Sequence, residues 1–123
     1  MNTIVVVDDT PEVALLMAKI FHRRGYEVCM LEDGLDLIET MRTQQPSLVL
    51  LDVSLPYRDG WSLVAEIRRT PEIQHIPVIA FSALATPEER QRMLAAGYTD
   101  CIGKPFVLSD VLVMVEHYMP KVP

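Results

Sequence analysis

The sequence predicts an α/β domain in which five strands alternate strictly with five helices, giving a parallel sheet covered by helices on both faces. Three observations carry that expectation. Short apolar or β-branched runs recur five times, and each is followed by a longer stretch with apolar residues at helical spacing. Cap and turn residues punctuate the alternation at Thr10-Pro11, Gly25, Pro46, Asp59-Gly60, Thr86-Pro87 and Gly97. Polar residues close four of the runs: Asp8 and Asp9, Asp52, Ser82, and Lys104. Those strand ends are where open α/β sheets hold their ligands.

Taken in order, Ile4 to Val7 is the first strand. Thr10 is placed as N-cap with Pro11 at the first helical position. Ala14, Met17, Ile20 and Phe21 mark the buried side of the first helix, which stops at Gly25. Tyr26 to Leu31 is the second strand, and its Glu27 suits a sheet edge. The second helix carries Leu37, Ile38 and Met41 and ends before Pro46. Leu48 to Leu51 is a continuous apolar run closed by Asp52, the mark of a strand buried on both faces. A third helix holds Leu63, Val64 and Ile67 and ends at Thr70-Pro71. Pro77 to Phe81 is the fourth strand, closed by Ser82. Thr86-Pro87-Glu88-Glu89 reads as a capping box opening a fourth helix that stops at Gly97. Asp100 to Gly103 is a short fifth strand, followed by Lys104-Pro105-Phe106 and a last helix from about Val107 to Tyr118. Residues 1–120 are expected to form one domain, with 121–123 as a tail or linker stub.

With 123 residues, half of them hydrophobic, the chain can bury a substantial core. A net charge of −6 argues against direct nucleic-acid binding, which needs a basic footprint, and against anionic membrane surfaces. The apolar runs are too short to span a bilayer, and the N-terminus lacks the basic region and the length of a signal peptide. A cytoplasmic location is expected. The two cysteines, Cys29 and Cys101, are read as free thiols. On opposite edges of a five-stranded sheet they would stand about 19 Å apart, beyond the roughly 7 Å reach of a disulfide.

The strand-end residues form the candidate site. In a doubly wound sheet of order 2-1-3-4-5, an order borrowed from flavodoxin-like sheets, Asp8, Asp9, Asp52, Ser82 and Lys104 face one pocket. Neighbouring carboxylates about 4 Å apart repel by about 4 kcal/mol per pair at an effective dielectric of 20. Such a cluster needs a proton or a cation. Hard oxygen ligands suit Mg²⁺. With Lys104 as a further cation and Ser82 as a hydroxyl donor, the set is equipped to transfer a phosphoryl group onto Asp52.

Val7-Asp8-Asp9, the segment Asp52-Val53-Ser54-Leu55-Pro56 with Asp59-Gly60, Ser82-Ala83, Ala96-Gly97 and Lys104-Pro105-Phe106 together resemble the receiver domain of two-component response regulators, over essentially the whole chain. The resemblance implies that Asp8, Asp9, Asp52 and the backbone carbonyl of Ser54 hold Mg²⁺. It implies that Asp52 takes its phosphoryl group from a phosphohistidine on a sensor histidine kinase or histidine phosphotransfer protein. Ser82 and Lys104 would engage the phosphoryl oxygens, and the Lys104-Pro105 bond would be cis. Output would pass through protein contact, the chain being a phosphoacceptor signalling domain without turnover of a separate substrate.

One position departs from the family pattern. An aromatic residue usually stands three residues before the lysine and moves inward with the Ser82-type hydroxyl. Here the position is Cys101. A cysteine cannot repeat the displacement of a ring, so readout is expected to rely on the loop after Ser82. Leu84, two residues beyond Ser82, brings no polar group to a hydrolytic water, which implies a long-lived phosphoryl state. The last helix is apolar nearly all round, with Leu108, Val111, Leu112, Val115 and Met119 inward and Val113 on the far side. The face of helix 4, strand 5 and helix 5 is therefore expected to meet a downstream target or a second copy of the chain. Trp61 is placed in helix packing near the pocket. His22, His75 and His117 share no ligand spacing. An aspartyl-nucleophile hydrolase would want an acid where Ser54 stands, and Asp8 and Asp9 would repel a flavin phosphate.

Overall fold

A computed structural model describes residues 2–54, 59–83 and 86–120. Leu55, Pro56, Leu84 and the 121–123 tail lie outside the described residues. Among the described residues ten elements alternate. They are β1 (Thr3–Val7), α1 (Pro11–Arg23), β2 (Glu27–Leu31), α2 (Leu37–Gln44), β3 (Leu48–Asp52), α3 (Gly60–Arg68), β4 (Val78–Ser82), α4 (Pro87–Ala96), β5 (Asp100–Gly103) and α5 (Leu108–Tyr118). All strand pairs are parallel and the sheet order is β2-β1-β3-β4-β5. The doubly wound order expected from the sequence is the order found.

Side chains alternate across the sheet with the period of two that a strand imposes. Ile4, Val6, Leu48, Leu50, Ile79 and Phe81 turn to the face covered by α1 and α5, where Met17, Phe21, Val111 and Val115 complete the core. Val5, Val7, Val49, Leu51, Val78 and Ala80 turn to the other face, against Leu37 and Met41 of α2, Leu63 and Ile67 of α3, and Met93 of α4. β3 is buried at all five positions because both layers cover it. Cys29 and Cys101 sit on the two edge strands as free thiols.

The helix ends fix where the loops begin. Thr86 caps α4, its side chain accepting from the Glu89 amide at 3.2 Å. Asp59 caps α3, accepting from Ser62 N at 2.8 Å. Thr10 makes no side-chain cap. Instead Asp8 Oδ1 accepts from the Thr10 amide at 2.8 Å, so the strand-end carboxylate shapes the turn into α1. Gly97 ends α4 with φ +120°, where a side chain would be strained and would meet Arg68 Cγ at 2.9 Å. At the opposite rim, Arg68 closes the fold. It donates to Gly97 O (2.8 Å), Gln74 O (2.8 Å), Ile76 O (2.7 Å) and Thr99 Oγ1 (3.3 Å).

Candidate phosphoacceptor site

The parallel register delivers the acidic residues to one rim. Val7 pairs with Leu51, so Asp8 leaves β1 beside Asp52 at the end of β3. Asp52 pairs in turn with Phe81, which puts Ser82 one step further along β4, and Ser82 pairs with Gly103, the residue before Lys104. Carboxylate oxygens of Asp8, Asp9 and Asp52 lie within 4.8 Å of one another. Asp8 and Asp52 are buried, whereas Asp9 is exposed. Lys104 Nζ lies 2.6 Å from Asp52 Oδ2 and 3.9 Å from Asp8 Oδ2. The Lys104-Pro105 bond is cis, and the Lys104 amide donates to Ser82 O at 2.7 Å.

Asp52 Oδ1 accepts from both the amide and the hydroxyl of Ser54, each at 2.9 Å. Burial pushes the Asp52 carboxyl up, but the Lys104 ammonium and the two Ser54 donors outweigh it and hold the pKa below the usual carboxylate value. The group is therefore a carboxylate at neutral pH, fixed at both oxygens. One ammonium set against three carboxylates leaves the cluster acidic. A small divalent ion taking oxygen ligands from one or two carboxylates fits that donor set.

Asp8, Asp9, Asp52 and Lys104 come together, Ser54 joins them through its amide and hydroxyl, and Ser82 ends the neighbouring strand in register with Gly103, whereas Cys101 stands apart. Cys101 is buried on the α4 side of β5, away from the carboxylates, with Arg90 Nη1 3.5 Å from its sulfur. The same arginine binds Asp100 Oδ1 at 2.6 Å, and Tyr118 donates to Asp100 Oδ2 at 2.8 Å. His22, His75 and His117 are all exposed. Trp61 packs edge-on against Tyr98 with centroids 6.3 Å apart, and the Arg92 guanidinium stands 5.4 Å from the Trp61 ring centroid.

Sequence reasoning missed Tyr98. Its side chain crosses from the turn between α4 and β5 to the start of α3, where the hydroxyl donates to Gly60 O at 2.7 Å. The residue is only 3% exposed. Burial, together with the nearby Asp59 and Asp52 carboxylates, pushes its phenol far above the ordinary range. An isolated tyrosine after a Gly cap carries no spacing signal. The hint lay in Gly60, whose smallness permits the approach: a Cβ there would stand 2.5 Å from the Tyr98 hydroxyl oxygen.

The sequence profile of the response regulator receiver domain matches residues 4–116. The chain is 34% identical to the sensor histidine kinase RcsC of Escherichia coli, over 97% of this chain and 12% of that protein. Across the curated relatives, the chain spans from that small share up to 96% of their length. The receiver domain of the Francisella response regulator 1452 superposes with a TM-score of 0.88 at 26% identity, covering 96% of each chain. The receiver domain of sensor histidine kinase PA1611 from Pseudomonas aeruginosa, which has a magnesium ion coordinated in its active site cleft, matches with a TM-score of 0.84 at 28% identity. That superposition covers 95% of this chain and 96% of the other.

Proposed function

Because the chain belongs to the response regulator receiver domain family, we propose that Asp52 is its phosphoacceptor, taking a phosphoryl group from a phosphohistidine on a sensor histidine kinase or histidine phosphotransfer protein. The observation that supports this most is the acidic cluster of Asp8, Asp9 and Asp52 with Lys104 2.6 Å from the Asp52 carboxylate. Asp8, Asp9, Asp52 and the Ser54 carbonyl would hold Mg²⁺, which supplies charge neutralisation for the phosphoryl oxygens when bound. An Asp52 carboxylate oxygen attacks phosphorus, the P–N bond to the donor imidazole breaks, and an acyl phosphate forms. Lys104 then pairs with a phosphoryl oxygen in place of the Asp52 oxygen it holds now, and Ser82 offers its hydroxyl to a second. The change would be read through Ser82 and the loop that follows it, since Cys101 at the usual switch position has no ring to move inward.

Output by protein contact fits the face built from α4, β5 and α5. Val107 and Val113 are 61% and 69% exposed there, beside a surface groove of about 330 Å³ lined by Asp100, Asp110, Val113, Met114, His117 and Tyr118. A downstream protein or a second copy of the chain would cover it. No helix among the described residues is long and apolar enough to cross a membrane, and a cytoplasmic site of action is the reading adopted.

The test is incubation with acetyl phosphate and Mg²⁺ followed by intact mass measurement. The parent should gain one phosphoryl group, and Asp52→Asn should gain none. Equal labelling of the two chains, or none of the parent, would remove Asp52 from its role.

A further inference from the structure

Val53 follows Asp52 at the site, and Gly60 starts α3. The two are stitched together, since the Gly60 amide donates to Val53 O at 3.1 Å. The Val53 amide is itself held by Phe81 O at 3.0 Å. Tyr98 then grips the other side of Gly60, donating to its carbonyl. Tyr98 is anchored in turn, because its amide donates to Met93 O (3.0 Å) and the next amide, of Thr99, donates to Val78 O (2.8 Å). A continuous set of bonds thus runs from the residue after Asp52, through Gly60, to the end of α4 and the start of β5.

We propose that Tyr98 is a positioning residue for the Asp52 reaction: by holding the Gly60 carbonyl it keeps Gly60 paired with Val53, so that the adjoining Ser54 backbone is set before the metal binds. The inference rests on the Mg²⁺ reading above. Its physical content is preorganisation. A backbone set in advance does not have to be ordered by the ion, whereas one set only part of the time lowers the apparent affinity by the fraction of time it is competent. Tyr98 is suited to the task because it is buried, its ring is braced edge-on by Trp61, and Gly60 leaves no side chain to hold the hydroxyl away. The tie also joins the phosphoacceptor loop to α4 and β5, on the side of the fold where Cys101 has no ring to contribute.

Calorimetric titration with Mg²⁺ alone tests this on three chains. Tyr98→Phe keeps the ring and removes the donor. Thr99→Val is a control that removes the neighbouring hydroxyl, which accepts from Val78 N at 3.0 Å, without touching Gly60. Tyr98→Phe should bind Mg²⁺ about three- to tenfold more weakly than the parent, while Thr99→Val, although less stable, should bind within about twofold. Unchanged affinity in Tyr98→Phe, or equal weakening in both variants, would overturn the proposal and leave the metal site standing. A parent that binds no Mg²⁺ would overturn the proposed function itself. If Tyr98→Phe fails to fold, ¹⁵N resonances of the parent decide. The Ser54, Gly60 and Tyr98 amides should shift with one Mg²⁺ midpoint, and a Tyr98 amide that stays still while Ser54 moves would overturn the coupling.

Discussion

Replacing Lys104 by methionine should separate two roles that the ammonium plays at once. In the structure it neutralises Asp52 at 2.6 Å and approaches Asp8 at 3.9 Å. A divalent ion held by the same carboxylates would be repelled by it, and a separation of about 4 Å sets the scale. Two unit charges at that separation interact by ~1 kcal/mol in bulk water and ~4 kcal/mol at an effective dielectric of 20, and a double charge doubles both figures. The Lys104 side chain is 29% exposed, so the aqueous limit is the safer one, about 2 kcal/mol of repulsion removed. Lys104→Met should therefore bind Mg²⁺ roughly 30-fold more tightly, and the gain should shrink as salt is added. Labelling by acetyl phosphate should fall in the same variant, because nothing replaces the cation on the phosphoryl oxygens. Calorimetry at fixed ionic strength reads the first effect and intact mass the second. An unchanged or weakened Mg²⁺ affinity would refute the reasoning, since Lys104 and the ion would then not share the same oxygens.

Three further outcomes are expected. The Asp52 pKa is lower in the folded chain than its ordinary value of 3.8, so its ionisation contributes stability above about pH 4 that is lost as the pH falls through the lower folded value. Denaturant unfolding of the parent and Asp52→Asn should show that contribution fading on acidification, and a difference that grows instead would refute the sign. Arg68→Ala leaves the Gly97, Gln74 and Ile76 carbonyls without their donor and should cost about 2–4 kcal/mol of stability while leaving phosphoryl transfer intact. Sedimentation with beryllofluoride should show association through the α4, β5 and α5 face, or protection of Val107 and Val113 by a partner. A strict monomer with that face unprotected would retire the reading.

The fold was legible because its signals are redundant. Leu48 to Leu51 could be a strand or part of a buried helix by pattern alone, but Asp52, the Asp59-Gly60 turn and the regular alternation on either side leave room only for a central strand. The strand-end residues were legible for the same reason, since parallel pairing carries every C-terminal strand end to one rim. What was not legible depended on distant contacts. Thr10 stands at the N-cap with the right chemistry, yet its side chain makes no cap bond, and the turn into α1 is shaped instead by Asp8 Oδ1 accepting from the Thr10 amide. Arg68 carries no spacing signal on α3, and its four acceptors come from two connections, 74–76 and 97–99, the second of which lies about thirty residues further along the chain. Tyr98 escaped notice because its partner lies 38 residues away along the chain. The family pattern drew attention to position 101, where the aromatic is missing, rather than to the one three residues earlier.

The closure of the far rim by Arg68 has a practical side. Strand starts gather there, together with the turn that carries His75, an exposed residue well separated along β4 from the acidic end. A fluorophore or an immobilisation handle introduced at His75 would hang from the chemically quiet pole of the molecule. Encounters with a kinase at the opposite pole could then be followed on a surface or by energy transfer, with the docking approach left unobstructed.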